Sequence, residues 1–420
     1  MIRYNCWNNN PFFCVCFFIM YKILRHSFIY LTGEVLSKAV PFILLPYLTR
    51  KLSVEGFGEL SLYTAFQAFF AIVVNWSFEG AIARYYYRYG RHSFFSVTVC
   101  ALLSSSVIFL CILLFMPGQI YKLIWFSAFL TGLFNILVIT FQCQKKPLFY
   151  TVLQFLLSLL SLVLTVLFFS WFPATAQLRI VAMVLATAVS VLVAGCVVYK
   201  YNFISRRLRL DKRFLLYIIG FGFPLIFHHL NFFLKGQFDR MLVAGAFSLT
   251  SLGIYSAGFQ LALVFPVLLQ AVNKACVPFF YEQCKKGKMT APMLNRLALY
   301  SLVLIPIPAL FALCLPEKVY TLFLGGAYGG AKYFTCIFLL GLAFQIPYLI
   351  LVNYLFYLNQ NKKIALCTLS SGIVHVVLLF FLKDISIYAL PFALIFSNIL
   401  SVGLLYMVVK AFSTEPKKVS

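Results

Sequence analysis

The sequence predicts an all-α integral membrane protein of about twelve transmembrane helices arranged as two six-helix lobes. Three observations carry this reading. The 420 residues are 63% hydrophobic and only 10% charged, a ratio that soluble globular classes do not sustain. Apolar runs of the ~20 residues a helix needs to cross ~30 Å of hydrocarbon recur along almost the whole chain. The basic residues are also sorted by side: of 34 Lys and Arg, 23 fall at the two ends of the chain or in every second connection, against 9 on or near the other side. This positive-inside bias places both termini in the cytoplasm. It accounts for the net charge of +24 without any nucleic-acid partner.

The predicted spans are 28–49, 57–76, 94–115, 121–141, 148–171, 178–199, 214–245, 251–279, 297–316, 331–357, 364–382 and 385–409. The seventh is too long for a straight crossing, and Gly222 with Pro224 offers a place to bend it. Residues 1–27 form an amino-terminal extension. Its apolar run Pro11–Met20 is too short to cross and lacks a cleavage pattern. Either translation begins at Met20, just before the charged lead-in YKILRHSFIY, or the extension is a short interfacial segment. Twelve cysteines are scattered, with Cys14 and Cys16 the one close pair. Core packing is their expected role, and neither disulfides nor a metal site is implied.

The first span organises the rest. Glu34 and Lys38 stand four apart inside it, so on a helix they share a face and can pair. Charges inside a spanning segment are costly unless they face a bundle interior or water, and they mark substrate or ion pathways. A faint internal repeat adds to this. Ser53, Gly58 and Ser61 are matched in spacing by Ser248, Gly253 and Ser256, 195 residues later. Six helices separate the copies, so both point the same way, as in transporters built of parallel repeats. The expected lobes are 28–205 and 206–410, followed by a cytoplasmic tail, 411–420, with a cavity between the lobes.

Short loops weigh against several classes, the first of which stays as the second alternative. A membrane-embedded glycan polymerase or transferase would show a large extramembrane loop or an acidic catalytic cluster, and no GxxxxGK[ST] loop is present for hydrolysing ATP. The stretch LGGAYGGAK, ending at Lys332, lacks the Ser or Thr of a phosphate cradle and reads as a flexible external turn. No catalytic residues and no cofactor are expected.

Three segments carry a family resemblance: PYLTRKLSVEGFGELSLYTAFQAFF (Pro46–Phe70), FDRMLVAGAFSLTSLGIYSAGFQLALV (Phe238–Val264) followed by ACVPFFYEQ, and LNQNKKIAL (Leu358–Leu366). They resemble the O-antigen and capsule flippases of the multidrug/oligosaccharidyl-lipid/polysaccharide exporter superfamily. The likeness runs from about residue 28 to 410. It implies a V-shaped, MATE-like bundle in the bacterial inner membrane that moves an undecaprenyl-diphosphate-linked oligosaccharide outward by alternating access. Partners would be that lipid-linked glycan, membrane lipids, and a polysaccharide polymerase with its chain-length machinery. A drug/cation antiporter of the same superfamily is the rival reading.

An anionic, lipid-linked head group needs cationic partners, for which Arg offers a fork and Lys a point charge. The candidates are Lys38, Arg84, Lys235, Arg240 and Lys274, each with a structural alternative such as snorkelling for Lys274 and pairing with Glu34 for Lys38. Arg50 reads as an interfacial anchor. Glu34, Glu79 and Asp239 are placed to carry a proton or bind Na+, and His228 with His229 could titrate near neutral pH. Asp239 and Arg240 are adjacent, hence on different helical faces, and are not expected to pair. The coupling ion and the sugar are not encoded legibly.

Overall fold

In a membrane every backbone polar group must find an internal partner, so spanning segments of this composition fold as helices. The computed structural model describes residues 36–90, 93–201 and 211–414, and the described chain is helical with only short connections. Eleven of its helical stretches are long and apolar enough to cross a bilayer. The twelfth expected span is seen from residue 36 onward. The extension 1–27, Glu34, the expected lobe boundary at 205 and the tail from 415 lie outside the described residues.

The helices pack as two groups. The first comprises α1 (36–51), α2 (Val54–Asn75), α3 (Phe78–Tyr89), α4 (Phe94–Leu113), α5 (Gln119–Cys143), α6 (Pro147–Trp171) and α7 (Ala176–Tyr201). Within it α5 is central: it touches α2, α3, α4, α6 and α7, and 67% of its apolar window is buried, against 17% for α6. Trp171, Leu192, Leu114 and Phe115 project from the rim, the kind of apolar exposure that lipid covers.

The second group begins with α8 (Lys212–Gly236), α9 (Phe238–Ala246), α10 (Leu249–Ala262) and α11 (Val264–Lys285). It continues through α12 (Ala291–Ser301), α13 (Pro306–Cys314) and α14 (Glu317–Leu324) to α15 (Ala331–Ala343), α16 (Gln345–Tyr357), α17 (Asn361–Leu382) and α18 (Pro391–Thr414). Its centre is α15, packed on α10, α13 and α18, with α17 bridging α18 and α8.

Three local features differ from the expectations. The long seventh span is helical through Gly222 and Pro224, and it is interrupted at Gln237, between α8 and α9, where no break was expected. Arg84 to Tyr89, read as part of a loop, form the helix α3. It is offset from α2 by Trp76 and Ser77, two consecutive non-glycine residues in the left-handed region (φ 46° and 54°). That conformation costs on the order of 1–3 kcal/mol per residue and persists only where its surroundings enforce it. The glycine-rich stretch is packed rather than loose: Tyr328 is buried edge-on to Phe57, and Lys332 Nζ donates to the Leu315 carbonyl (2.9 Å).

Candidate functional site

The charged residues of the seventh span converge inside the second group. Asp239 lies in the first turn of α9, where the helix dipole favours a carboxylate. Its Oδ1 accepts from the Arg240 backbone N–H (2.9 Å), and its Oδ2 accepts from the Tyr255 hydroxyl of α10 (2.6 Å). Both Asp239 and Arg240 are 3% exposed. The guanidinium of Arg240 lies 5.2 Å over the Phe259 ring, and its Nε has no hydrogen-bond partner among the described residues.

Lys235 ends the last turn of α8. Its Nζ donates to Asn398 Oδ1 on α18 (3.0 Å), and Asn398 Nδ2 donates to the Gly341 carbonyl of α15 (2.9 Å). His375 of α17 completes the cluster. It is 2% exposed, lies 3.4 Å from Ser397 Oγ through Nδ1, and is within electrostatic reach of both Asp239 and Lys235. Its Nε2 has no partner among the described residues. Six elements thus surround one buried carboxylate, one buried guanidinium, one ammonium and one imidazole. A carboxylate and an imidazole within electrostatic reach of each other are groups between which a proton could be passed.

The other candidates stand elsewhere. Lys38 is exposed on α1 and Lys274 is exposed on α11. Arg84, exposed on α3, places its guanidinium 4.5 Å over the Phe221 ring of α8. Glu79, in the first turn of α3, has a buried Oε2 without a partner among the described residues. The side chain of His228, like Glu34, lies outside the described residues. Sequence reasoning missed His375 and Tyr255. His375 carries a signal of its own, an imidazole inside an apolar run, but a weaker one than the adjacent pair His228–His229.

A second functional feature is the seam between the groups. At the end where α2 and α10 begin, each helix is capped by its own serine: Ser53 Oγ accepts from Gly56 N (3.0 Å) and Ser248 Oγ from Ser251 N (3.1 Å). The two helices then cross backbone to backbone. A Cβ on Gly58 would strike the Leu249 carbonyl, and one on Gly253 would strike the Val54 carbonyl. The third matched pair, Ser61 and Ser256, is buried beside them with both hydroxyls unpartnered among the described residues. The repeat is therefore a reciprocal contact about a pseudo-two-fold axis, with small residues permitting the close approach.

The same end is tied by Arg50, whose Nη2 donates to the Leu322 carbonyl of α14. Phe42 also lies 5.4 Å from Phe323. Arg50 thus links the two groups rather than only anchoring α1. At the opposite, lysine- and arginine-rich end, α8 lies against α3 and α4.

Two groups of spanning helices joined by a reciprocal seam, one of them enclosing a charged cluster, define a multi-pass membrane protein of the MATE-like fold. An inward-facing multidrug resistance MATE family transporter of the MOP superfamily is similar with a TM-score of 0.68, covering 93% of this chain and 100% of that one at 13% identity. The chain belongs to the polysaccharide biosynthesis protein family, which matches residues 23–283. It is 40% identical to a Haemophilus influenzae protein named for the Lsg locus, over 93% of this chain and 99% of the relative. A second membrane protein of that organism is 35% identical over 93% and 97% of the two chains.

Proposed function

We propose that this protein flips an undecaprenyl-diphosphate-linked oligosaccharide from the cytoplasmic to the outer leaflet of a bacterial inner membrane. The two groups, taken as lobes 28–205 and 206–410, would alternate access to a cavity between them, with both termini cytoplasmic. The single observation that carries the mechanism is the glycine seam: the lobes meet through bare backbone at Gly58 and Gly253. Around it the groups also share buried side chains, Phe57 against Tyr328 and Phe42 beside Phe323, so opening here separates part of an apolar core as well. Membership of the polysaccharide biosynthesis family supports the cargo class over the drugs or cations of the rival antiporter.

In this reading the anionic head is met by Lys38, Arg84 and Lys274. Lys235 and Arg240 hold the charged cluster in register. Of the carboxylates considered, Asp239 is the one surrounded by titratable neighbours, and it is the residue through which H+ or Na+ would couple to movement; Glu34, Glu79 and His228 are secondary candidates. A polymerase and its chain-length machinery would take the delivered glycan.

The test is complementation of O-antigen or capsule export in cells lacking their own flippase. Lys38→Ala and Arg240→Ala are expected to lower export while membrane levels of the protein stay normal. Unchanged export in both removes the assignment of Lys38 to the cargo and of Arg240 to the charged cluster. A wild-type chain that restores drug resistance but not export favours the antiporter.

A further inference from the structure

We infer that α8 is shared between the two groups: the half nearer the lysine- and arginine-rich end, up to Leu225, moves with the first group, and the half from Asn231 moves with the second. The boundary between the moving bodies then lies inside this helix and not in the connection before it. The inference rests on the alternating access proposed above but not on the cargo.

The first of these halves packs on the first group over about three turns. Phe214 and Tyr217 meet the Tyr85 ring of α3, with centroids 6.0 and 5.4 Å apart. Ile218 is fully buried in one apolar cluster with Phe78, Ala81 and Ile82 of α3 and with Phe94 and Val97 of α4. Phe221 carries the Arg84 guanidinium 4.5 Å above its ring. At Gly222 the contact is backbone to backbone, because a Cβ there would strike the Trp76 carbonyl. The Trp76 indole N–H also donates to the Ile219 carbonyl (3.4 Å). The contact ends at Leu225, which meets Gly80.

From Asn231 onward the partners change. Asn231 lies against Gly372 of α17, where a Cβ would strike its side-chain oxygen, and Lys235 is held by Asn398 of α18 (3.0 Å). Phe233 also touches Phe69 of α2 through their rings (5.4 Å). At the lysine- and arginine-rich end, the remaining segments of the second group pack among themselves: α11 and α12 lean on α16, and α12, α16 and α17 lean on α18. It is α8 that crosses to α3 and α4 there.

Pro224 stands at the changeover, one residue before the last contact with α3. A proline inside a helix offers no N–H to the carbonyl four residues back, here that of Gly220. A bend at this point breaks no hydrogen bond, and helix kinks collect at such residues. Gly220 and Gly222 add no side chain that resists it. Lifting the whole half away would instead take the Trp76 N–H from its acceptor and Ile218 from its packing. The easier movement leaves residues 212–222 on α3 and α4 while the second group swings. Helix α8 thus joins the strained Trp76–Ser77 break to Lys235 of the charged cluster, ~20 Å apart along one axis.

The test is spin-label distance measurement on the full chain in phosphatidylcholine nanodiscs, with native cysteines replaced. Two label pairs share Arg213, at the start of α8: one reaches Arg88 of α3 and the other Lys362 of α17, all three exposed. The Arg213–Arg88 distribution is expected to be narrow and the Arg213–Lys362 distribution broad or two-peaked. The opposite pattern returns all of α8 to the second group and overturns the inference. Two equally narrow distributions overturn it by showing no boundary at α8, and two equally broad ones by showing a half tied to neither group. Pro224→Ala, which restores the missing N–H, is expected to narrow the Arg213–Lys362 pair and lower export severalfold without lowering thermal stability. Full export by this variant with an unchanged Arg213–Lys362 distribution removes the hinge. If the label distances come out as expected but wild type exports nothing, the flippase reading falls and the division of α8 stands. If wild type exports and the pattern is reversed, the division falls and the flippase reading stands.

Discussion

Asp239 has both oxygens engaged, one by the next backbone N–H and one by the Tyr255 hydroxyl, and Tyr255 is 1% exposed. Removing that hydroxyl leaves a buried carboxylate oxygen without its donor, a loss of roughly 1–3 kcal/mol. Tyr255→Phe is therefore expected to unfold more easily in detergent while its expression persists, and to change the pH or Na+ dependence of export. Normal stability together with an unaltered dependence would show that Asp239 needs no such donor. His375→Asn provides a separate check, because the amide keeps polarity and removes titration; a shifted pH profile is expected. Lys235, Asp239 and Arg240 were legible because charges interrupt an otherwise apolar run. Their partners were not: Tyr255, Ser397 and Asn398 look like ordinary span residues until α10 and α18 fold against α8 and α9. Glu34 and Lys38 were equally conspicuous, yet of the two only Lys38 lies among the described residues, exposed on α1.

At the scale of helices, α2 and α10 illustrate what spacing can reveal. Three matched positions 195 residues apart turned out to be the residues at which the two groups touch, because a repeated helix meeting its own copy about a two-fold axis presents the same small residues to itself. An added methyl at such a contact must push the backbones apart, an overpacking cost of about 1–3 kcal/mol. Gly253→Ala is thus expected to lengthen the distance between spin labels at Lys51 and Thr250, both exposed at the seam end, and to lower export. An unchanged distance distribution would mean that the seam is not in tight contact in the membrane. Helix breaks were less legible than helices. Hydropathy is continuous across Leu263 and Phe344, where α10 and α15 give way to their successors, so no apolar pattern marks them. The helix α3 went unread for the converse reason, since its arginines and tyrosines mask a helical run that is anchored by packing on α8 rather than by hydrophobicity.

For the molecule as a whole, the alternation of basic connections makes a statement about sidedness that the packing alone does not. The seam end holds Ser53 and Ser248, while the other end holds Lys145, Lys146, Lys362 and Lys363. If the basic end faces the cytoplasm, the contact through Gly58 and Gly253 closes the outer side. Sidedness is thereby tied to mechanism, because reversing the protein would put the closed seam on the cytoplasmic side. Single cysteines at Thr250 and Lys362, in a chain whose native cysteines are replaced, separate the cases. A membrane-impermeant maleimide is expected to label Thr250→Cys in intact cells and Lys362→Cys only after the membrane is opened. The opposite pattern would invert the bundle, and with it the direction in which the charged cluster of Asp239 and His375 could drive cargo.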